Sequence, residues 1–186
     1  MRNLAQIRPI EENDPELMSS AFHKAGILRS AGQYRGYFAE QSAGARICLL
    51  ASVDTEFAGY LTVNWNPAYA AFAQSKIPEI QDLNVLPVFR RKGIATRLLD
   101  QAEREILVRS CIAGISVGLH PGYNQAQRLY VRRGYVPDGC GVTYRNEYVT
   151  EGMQVQLNDD LLLHFTKNLT SARDIYPSSP LKGIHA

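Results

Sequence analysis

Between Val85 and Leu99 the chain passes from a strand-like stretch through Pro87 into three consecutive cations, Arg90, Arg91 and Lys92, then Gly93 and an amphipathic helix. Few arrangements accommodate a strand that ends in a short basic loop and resumes as a helix at a glycine. The first amides of a helix have no acceptor within it, and the helix dipole places partial positive charge at the same end. Small residues such as Gly93 and Ala95 let the backbone come close to an anion. The segment therefore has the makings of a diphosphate cradle, with the three cations adding charge beside it.

The flanking sequence supplies the scaffold. Ile94, Leu98, Ala102 and Ile106 recur every four residues and predict a helix over about 93–108. Residues 79–86 read as the strand before it, closed by Pro87, and Ala113–Leu119 as the strand after it. Strand, helix and strand in that order suggest a parallel or splayed pair. Upstream, weak alternation over 4–10 predicts a first strand. Pro15 opens a helix running to about Leu28, and a second helix covers about 33–41. Strands over 46–53 and 58–65, joined by a polar turn at Asp54–Glu56, form an antiparallel hairpin. Residues 66–78 read as an irregular connection of the kind that lines binding sites. Downstream, Asn124–Arg133 is a helix stopped by Gly134; Tyr135-Val136 begins another strand, and 140–169 is further β structure that includes Leu161–Phe165. The expected fold class is α+β (mixed α/β). Residues 1–170 read as one domain, and 171–186, with two prolines and three serines, as a poorly ordered tail.

Composition sets outer bounds. At 186 residues, 45% hydrophobic and 20% charged, the chain can build its core from apolar packing alone. A net charge of +2 does not favour a nucleic-acid partner. Cys48, Cys111 and Cys140 have no spacing that suits a zinc site or a disulfide framework; Cys48 and Cys111 lie among apolar neighbours and read as buried small hydrophobes. No metal is expected. The first residues lack a signal-peptide core, and no stretch approaches the roughly 18–20 apolar residues that span a bilayer. A reducing, cytoplasmic setting with no membrane partner is the expectation.

Two blocks resemble a known family. Arg90-Arg91-Lys92-Gly93-Ile94-Ala95 is similar to the Arg/Gln-x-x-Gly-x-Gly/Ala motif of the GNAT family of N-acetyltransferases. Ala126-Gln127-Arg128-Leu129-Tyr130, followed by Gly134-Tyr135, resembles the family's second signature. The resemblance covers roughly 50–160 well and the first 40 residues poorly. It implies a mostly antiparallel mixed sheet with a splayed parallel pair, flanked by helices on both faces, and acetyl-CoA as cosubstrate. It also implies site residues. The loop amides from Arg91 to Thr96, with Ile94 and Ala95 among them and Arg90 adjacent, would hold the pyrophosphate. Leu83 and Val85 would meet the pantetheine arm through main-chain atoms. Tyr130 would be the general acid near sulfur, and Glu79 the base that deprotonates the amine. Relatives often carry asparagine where this chain has Tyr123; Asn124 follows it and is a candidate cofactor contact or a helix cap.

Other readings stay open. Alternation places Glu79, Gln81, Leu83 and Val85 on one strand face and Ile80, Asp82 and Asn84 on the other, which makes Glu79 and Asp82 rival bases on opposite faces. His120 is a third candidate, and water a fourth. Trp65, Tyr69 and Phe72, with Tyr34 and Tyr37, could wall an acceptor pocket or simply fill the core. The acceptor is expected to be a small-molecule or peptide amine, attacked directly in a ternary complex, since no cysteine sits in either block. A noncatalytic acyl-CoA-binding module and a nucleic-acid-binding domain using the arginine pairs are the competing classes. A homodimer is expected only by analogy with the fold.

Overall fold

The computed structural model describes residues 5–170, so the expected tail lies outside the described residues. Eight strands form one sheet: β1 (Gln6–Pro9), β2 (Arg46–Val53), β3 (Glu56–Asn64), β4 (Glu79–Val85), β5 (Ile112–Gly118), β6 (Val136–Tyr144), β7 (Glu147–Tyr148) and β8 (Leu161–Asn168). Their spatial order is β1-β2-β3-β4-β5-β8-β6-β7, antiparallel throughout except for β4 against β5. Among the described residues five α-helices accompany it: α1 (Asp14–Lys24), α2 (Ala31–Ser42), α3 (Ala70–Gln74), α4 (Ile94–Leu107) and α5 (Asn124–Arg132). The mixed α+β class and the antiparallel hairpin of β2 and β3 are as the sequence predicts. Among the described residues, no helix is long and apolar enough to cross a membrane.

The helices divide between the two faces according to their apolar stripes. On α4 the expected positions Ile94, Leu98, Ala102 and Ile106 are all buried, with Leu99 beside them. They pack on Leu49, Ala51, Leu61, Val63, Ile80 and Ile115, and α5 joins this layer through Tyr130 and Leu129. The opposite face is an aromatic core in which Met18 and Phe22 of α1 and Tyr34 of α2 cover Cys48, Leu50, Phe57 and Tyr60. Here α1 stops four residues short of the expected Leu28. Gly26, at φ 75°, turns the chain, and the Ile27 N–H donates back to the Phe22 carbonyl at 2.9 Å. Ser30 then caps α2 by accepting from the Gln33 N–H at 3.2 Å.

Three expectations need correction. The 66–78 connection is not wholly irregular, because α3 sits in it and buries Phe72. Cys111 is exposed, as is Cys140; only Cys48 is buried, since Cys111 precedes β5 rather than lying within it. The third error concerns β4. Against β3, Gln81 faces Thr62 while Asn84 faces Tyr60, so three steps on β4 match two on β3. The extra residue forms a bulge, and Asp82 stands at φ 53°. Alternation therefore breaks at Asp82. Leu83 and Val85 join Ile80 on the α4 face, whereas Glu79, Gln81 and Asn84 lie opposite Asn64, Thr62 and Tyr60.

Gly59 makes this bulge possible by letting β3 lie tight against β4. A Cβ there would stand 2.4 Å from the Asn84 carbonyl oxygen and 3.0 Å from Val85 Cα. Both are backbone atoms with little room to yield. Gly59→Ala is expected to destabilise the fold by about 1–3 kcal/mol, measured as the change in urea-unfolding free energy; an unchanged value would mean that the strands separate without cost.

Candidate functional site

The sheet opens in its middle. β4 and β5 pair only at Glu79 with Gly114 and Ile80 with Ile115, after which they diverge. The Leu86 N–H donates to the Ala58 carbonyl at 2.9 Å, and Asn84 pairs with Tyr60, so these residues serve β3. Alternation then turns the main-chain polar groups of Leu83 and Val85 to the other edge, where β5 has moved away. Arg90 already uses one of them, its Nε donating to the Val85 carbonyl at 3.0 Å.

The basic loop sits at the end of this open edge. Arg91 and Gly93 both take positive φ, 60° and 80°, on either side of Lys92. Such pairing of left-handed residues curls successive N–H groups toward one concavity. Helix α4 begins at Gly93 without a side-chain cap, and its first bond runs from the Arg97 N–H to the Gly93 carbonyl at 3.1 Å. The N–H groups of Ile94, Ala95 and Thr96 thus have no acceptor inside the helix. Nothing lies within 4 Å of where a Gly93 Cβ would be, so the glycine is there for its backbone angle and the space before it is open. Arg90, Arg91, Lys92 and Thr96 are exposed; Lys92 lies over the Phe89 ring, 5.2 Å from its centre. Such a donor set is suited to an anion such as a diphosphate.

On the α1/α2 face, Glu79 anchors a buried row of polar side chains. Its carboxylate accepts from Gln81 Nε2 at 2.7 Å and from Ser116 Oγ at 2.5 Å. Gln81 Oε1 in turn accepts from Arg46 at 2.9 Å, and Arg46 also reaches Thr62 Oγ1 at 2.9 Å, Glu40, and the face of Tyr37. Beyond Ser116 lie His164, 2.7 Å away through Nδ1, and Thr143, 2.7 Å from Nε2. Burial pushes the Glu79 carboxyl up, offset in part by the Ser116 and Gln81 hydrogen bonds and by Arg46. Burial likewise lowers His164, to about 4, against a small opposing pull from Asp138. Ser116, Arg46, Thr143 and His164 were not singled out from the sequence. His164 carried a usable signal, a lone imidazole in the apolar run Leu161–Phe165.

The remaining candidates separate clearly. Tyr130 is 5% exposed, its ring 6.2 Å from that of Tyr135, and burial raises its phenol strongly. Asn124 is the exposed first residue of α5, where Tyr123 and not Asn124 takes the cap position. His120 Nδ1 accepts from the Gly122 N–H, and its Nε2 bonds to Asp159, which also accepts from the Tyr123 hydroxyl. The Tyr123 ring lies so close to Gly118 that a Cβ there would be 2.3 Å away. Asp82 accepts from the Tyr37 hydroxyl at 2.5 Å on the α2 side, the same side as Glu79 and not the opposite one. Tyr69 and Phe72 are buried over His164 and Gly114. Trp65 packs with the α4 layer under Arg109, 4.2 Å from its ring centre, away from Asp82 and Tyr37.

The profile of the Acetyltransferase (GNAT) family matches residues 10–135. The chain belongs to the GNAT acetyltransferase family. No curated protein gives a significant sequence match. Among solved GNAT-type structures, the fold is similar to YncA of Salmonella typhimurium with its cofactor acetyl-CoA, at 17% identity and TM-score 0.64, covering 90% of this chain and 95% of that one. It is similar also to the ribosomal-protein-alanine N-acetyltransferase of Brucella melitensis, at 18% identity and TM-score 0.64, covering 88% and 99% of the two chains. The spermidine/spermine N-acetyltransferase SpeG of Vibrio cholerae matches at 14% identity and TM-score 0.62, covering 95% and 100%. At these identities the likeness is one of fold.

The buried row gives this GNAT protein a pH signature. Folded His164 titrates at about 4 instead of 6.5, so between those values the unfolded chain binds a proton that the folded chain refuses. Stability from this group is complete above 6.5 and is lost as pH falls toward 4. Glu79 acts in the opposite sense: its raised carboxyl favours the folded state while protonated, and that contribution is lost as pH rises through its folded pKa. His164→Asn is therefore expected to flatten the fall in urea-unfolding free energy between about pH 6.5 and about pH 4. An unaltered slope would show that His164 does not carry it.

Proposed function

We propose that this chain transfers an acetyl group from acetyl-CoA to a primary amine, by direct attack in a ternary complex. The observation that supports it best is the uncapped amide cradle at Gly93, set at the end of a strand edge whose outward main-chain groups β5 does not use. Bound acetyl-CoA supplies an activated thioester carbonyl and a thiolate leaving group. The amides from Arg91 to Thr96 hold the pyrophosphate, with Arg90, Arg91 and Lys92 adding charge around it. Leu83 and Val85 pair with the pantetheine amides through the backbone, as an added strand would. Asn124, exposed at the start of α5, is a further cofactor contact.

Tyr130 serves as the acid on the leaving side. Its burial keeps the phenol protonated over the whole physiological range, so it donates a hydrogen bond to sulfur as negative charge develops there. Glu79 serves as the base. Its raised carboxyl accepts a proton from an ammonium more readily than an exposed one would, and its 5% exposure implies that an intervening water delivers it. Asp82 is the rival, but the Tyr37 hydroxyl already occupies one of its oxygens. His120 is committed to Gly122 and Asp159.

The acceptor is a small-molecule or peptide amine. Asp82, Tyr37 and Gln33 on one wall, and Tyr123 with Asp159 on the other, offer carboxylates and phenols suited to a cation. The relatives' own names range from a ribosomal protein to spermidine and spermine, which fits an amine without choosing between them. Three unpaired cysteines suit a reducing, cytoplasmic compartment.

Calorimetry with coenzyme A and a thiol-release assay over polyamines, amino acids and peptide N-termini test this reading. Wild-type protein is expected to bind coenzyme A and to release thiol with at least one amine class. Binding without release would leave a noncatalytic acyl-CoA module; no binding would refute both. Tyr130→Phe is expected to lower turnover by more than about tenfold with little change in coenzyme A affinity, and unchanged turnover would remove Tyr130 from the mechanism.

A further inference from the structure

The row that leads away from Glu79 contains more than acetyl transfer requires of it. Ser116 and His164 face each other directly across β5 and β8, and Thr143 on β6 approaches the far side of the imidazole. His164 and Thr143 are 0% exposed, so bulk solvent does not reach them. The Tyr69 ring stacks flat on the imidazole at 3.6 Å and 7°, with the Phe72 edge at 5.7 Å, which fixes the ring plane. Each hydroxyl in the row owns one proton, and each ring nitrogen must be either donor or acceptor.

With Glu79 ionised these constraints leave one arrangement, and with Glu79 protonated they allow its reversal. Ionised Glu79 can only accept, so Ser116 donates to it; Ser116 Oγ then accepts from Nδ1–H of His164, and Nε2 accepts from the Thr143 hydroxyl. When a proton is added, Gln81 is already donating to Oε2, so the proton sits on Oε1 and points at Ser116. Ser116 accepts that proton and turns its own to Nδ1; the ring proton then lies on Nε2, Thr143 Oγ1 accepts it, and the Thr143 proton turns away from the ring. The row as a whole gains one proton, and the imidazole is neutral in both arrangements.

We propose that Ser116, His164 and Thr143 are positioning residues for Glu79, forming a two-state hydrogen-bond relay that reverses direction whenever Glu79 gains or loses a proton. In the ionised state the relay commits the Ser116 proton to Glu79 and so holds the carboxylate ready to accept; its part in turnover rests on the reading of Glu79 as the base. The charged and titratable groups around it come from every neighbouring element: Arg46 of β2 and Asp82 of β4 near Glu79, and Tyr69 before α3 and Asp138 of β6 near His164. Of these, Asp138 pulls the imidazole toward protonation and burial outweighs it, so the ring stays neutral down to about 4.

The test is nitrogen NMR of the histidine side chains in the full chain, with the His164 signals identified by their loss in His164→Asn. A neutral ring carrying its proton on Nδ1 near neutral pH is expected, changing to the Nε2–H form as the Glu79 carboxyl signal titrates. An Nε2–H ring near neutral pH, a ring that keeps one tautomer while Glu79 titrates, or an imidazolium in that range would each overturn the relay. In kinetics, Ser116→Ala and His164→Leu are expected to move the ascending limb of the pH–rate profile to higher pH and to cut the rate near neutral pH by about tenfold. His164→Asn, whose amide can present an N–H to Ser116, is expected to restore most of it. If Glu79→Gln leaves the profile unchanged, the base assignment fails while the NMR result still judges the relay. If Glu79→Gln abolishes the limb and His164→Leu leaves it in place, the relay fails and the base stands.

Discussion

The separation of β4 from β5 after two paired residues is the constraint on which the site depends. A parallel pair in the middle of a sheet normally continues, because unpaired main-chain groups there cost about as much as lost hydrogen bonds. Here the pairing with β5 ends at Ile80, and two residues on Asp82 forms a bulge against β3, at a backbone angle that few residues other than glycine adopt freely. The bulge rotates the outer half of β4 relative to its inner half. Its first half stays in register with β5 and carries Glu79; its second half presents Leu83 and Val85 to the gap. A chain that leaves strand groups unused in its interior is prepared for something else to pair with them.

The two faces around that gap are built from different materials. On the α4 side the packing is almost wholly apolar, and it fixes the start of α4 because Ile94 is itself buried one residue after the exposed Gly93. The cradle is therefore loose only in what it can bind, not in where it stands. On the other side polar groups reach deep into the sheet, with Glu79, Thr62, Thr143 and His164 all buried. Buried polar groups are tolerable when each finds a partner, and in this row each does. Such a row is most sensitive at its fully buried members, Thr143 and His164, since removing one leaves the other with an unmet donor or acceptor away from bulk water.

Much of this was legible in the sequence, for definable reasons. The four-residue spacing of α4 and the glycine before it are local signals, and local geometry decides both. The GNAT family followed from two short blocks whose order and separation mattered more than either block alone. The faces of β4 were misread because alternation assumes an unbroken pleat, and a bulge at a non-glycine residue leaves no mark in composition. Ser116, His164 and Thr143 are 27 and 21 residues or more apart in sequence, and only the β5-β8-β6 order brings them together. Cys111 failed for a simpler reason: apolar neighbours predict burial within a strand, but this cysteine stands one residue before β5 begins.

The bulge and the polar row are linked through Glu79. Had the alternation of β4 run on unbroken, Asn84 would face the α4 layer and Val85 the polar side, a mismatch of side chain to environment on both faces. With the bulge, the apolar residues of the outer half turn to the core while the carboxylates of Glu79 and Asp82 share the α2 side, where Arg46 and Tyr37 moderate them. Burial raises the proton affinity of Glu79, and the charge of Asp82 adds to it in the same direction. A single inserted residue thus turns Leu83 and Val85 to the open edge and at the same time sets Asp82 on the side of Glu79.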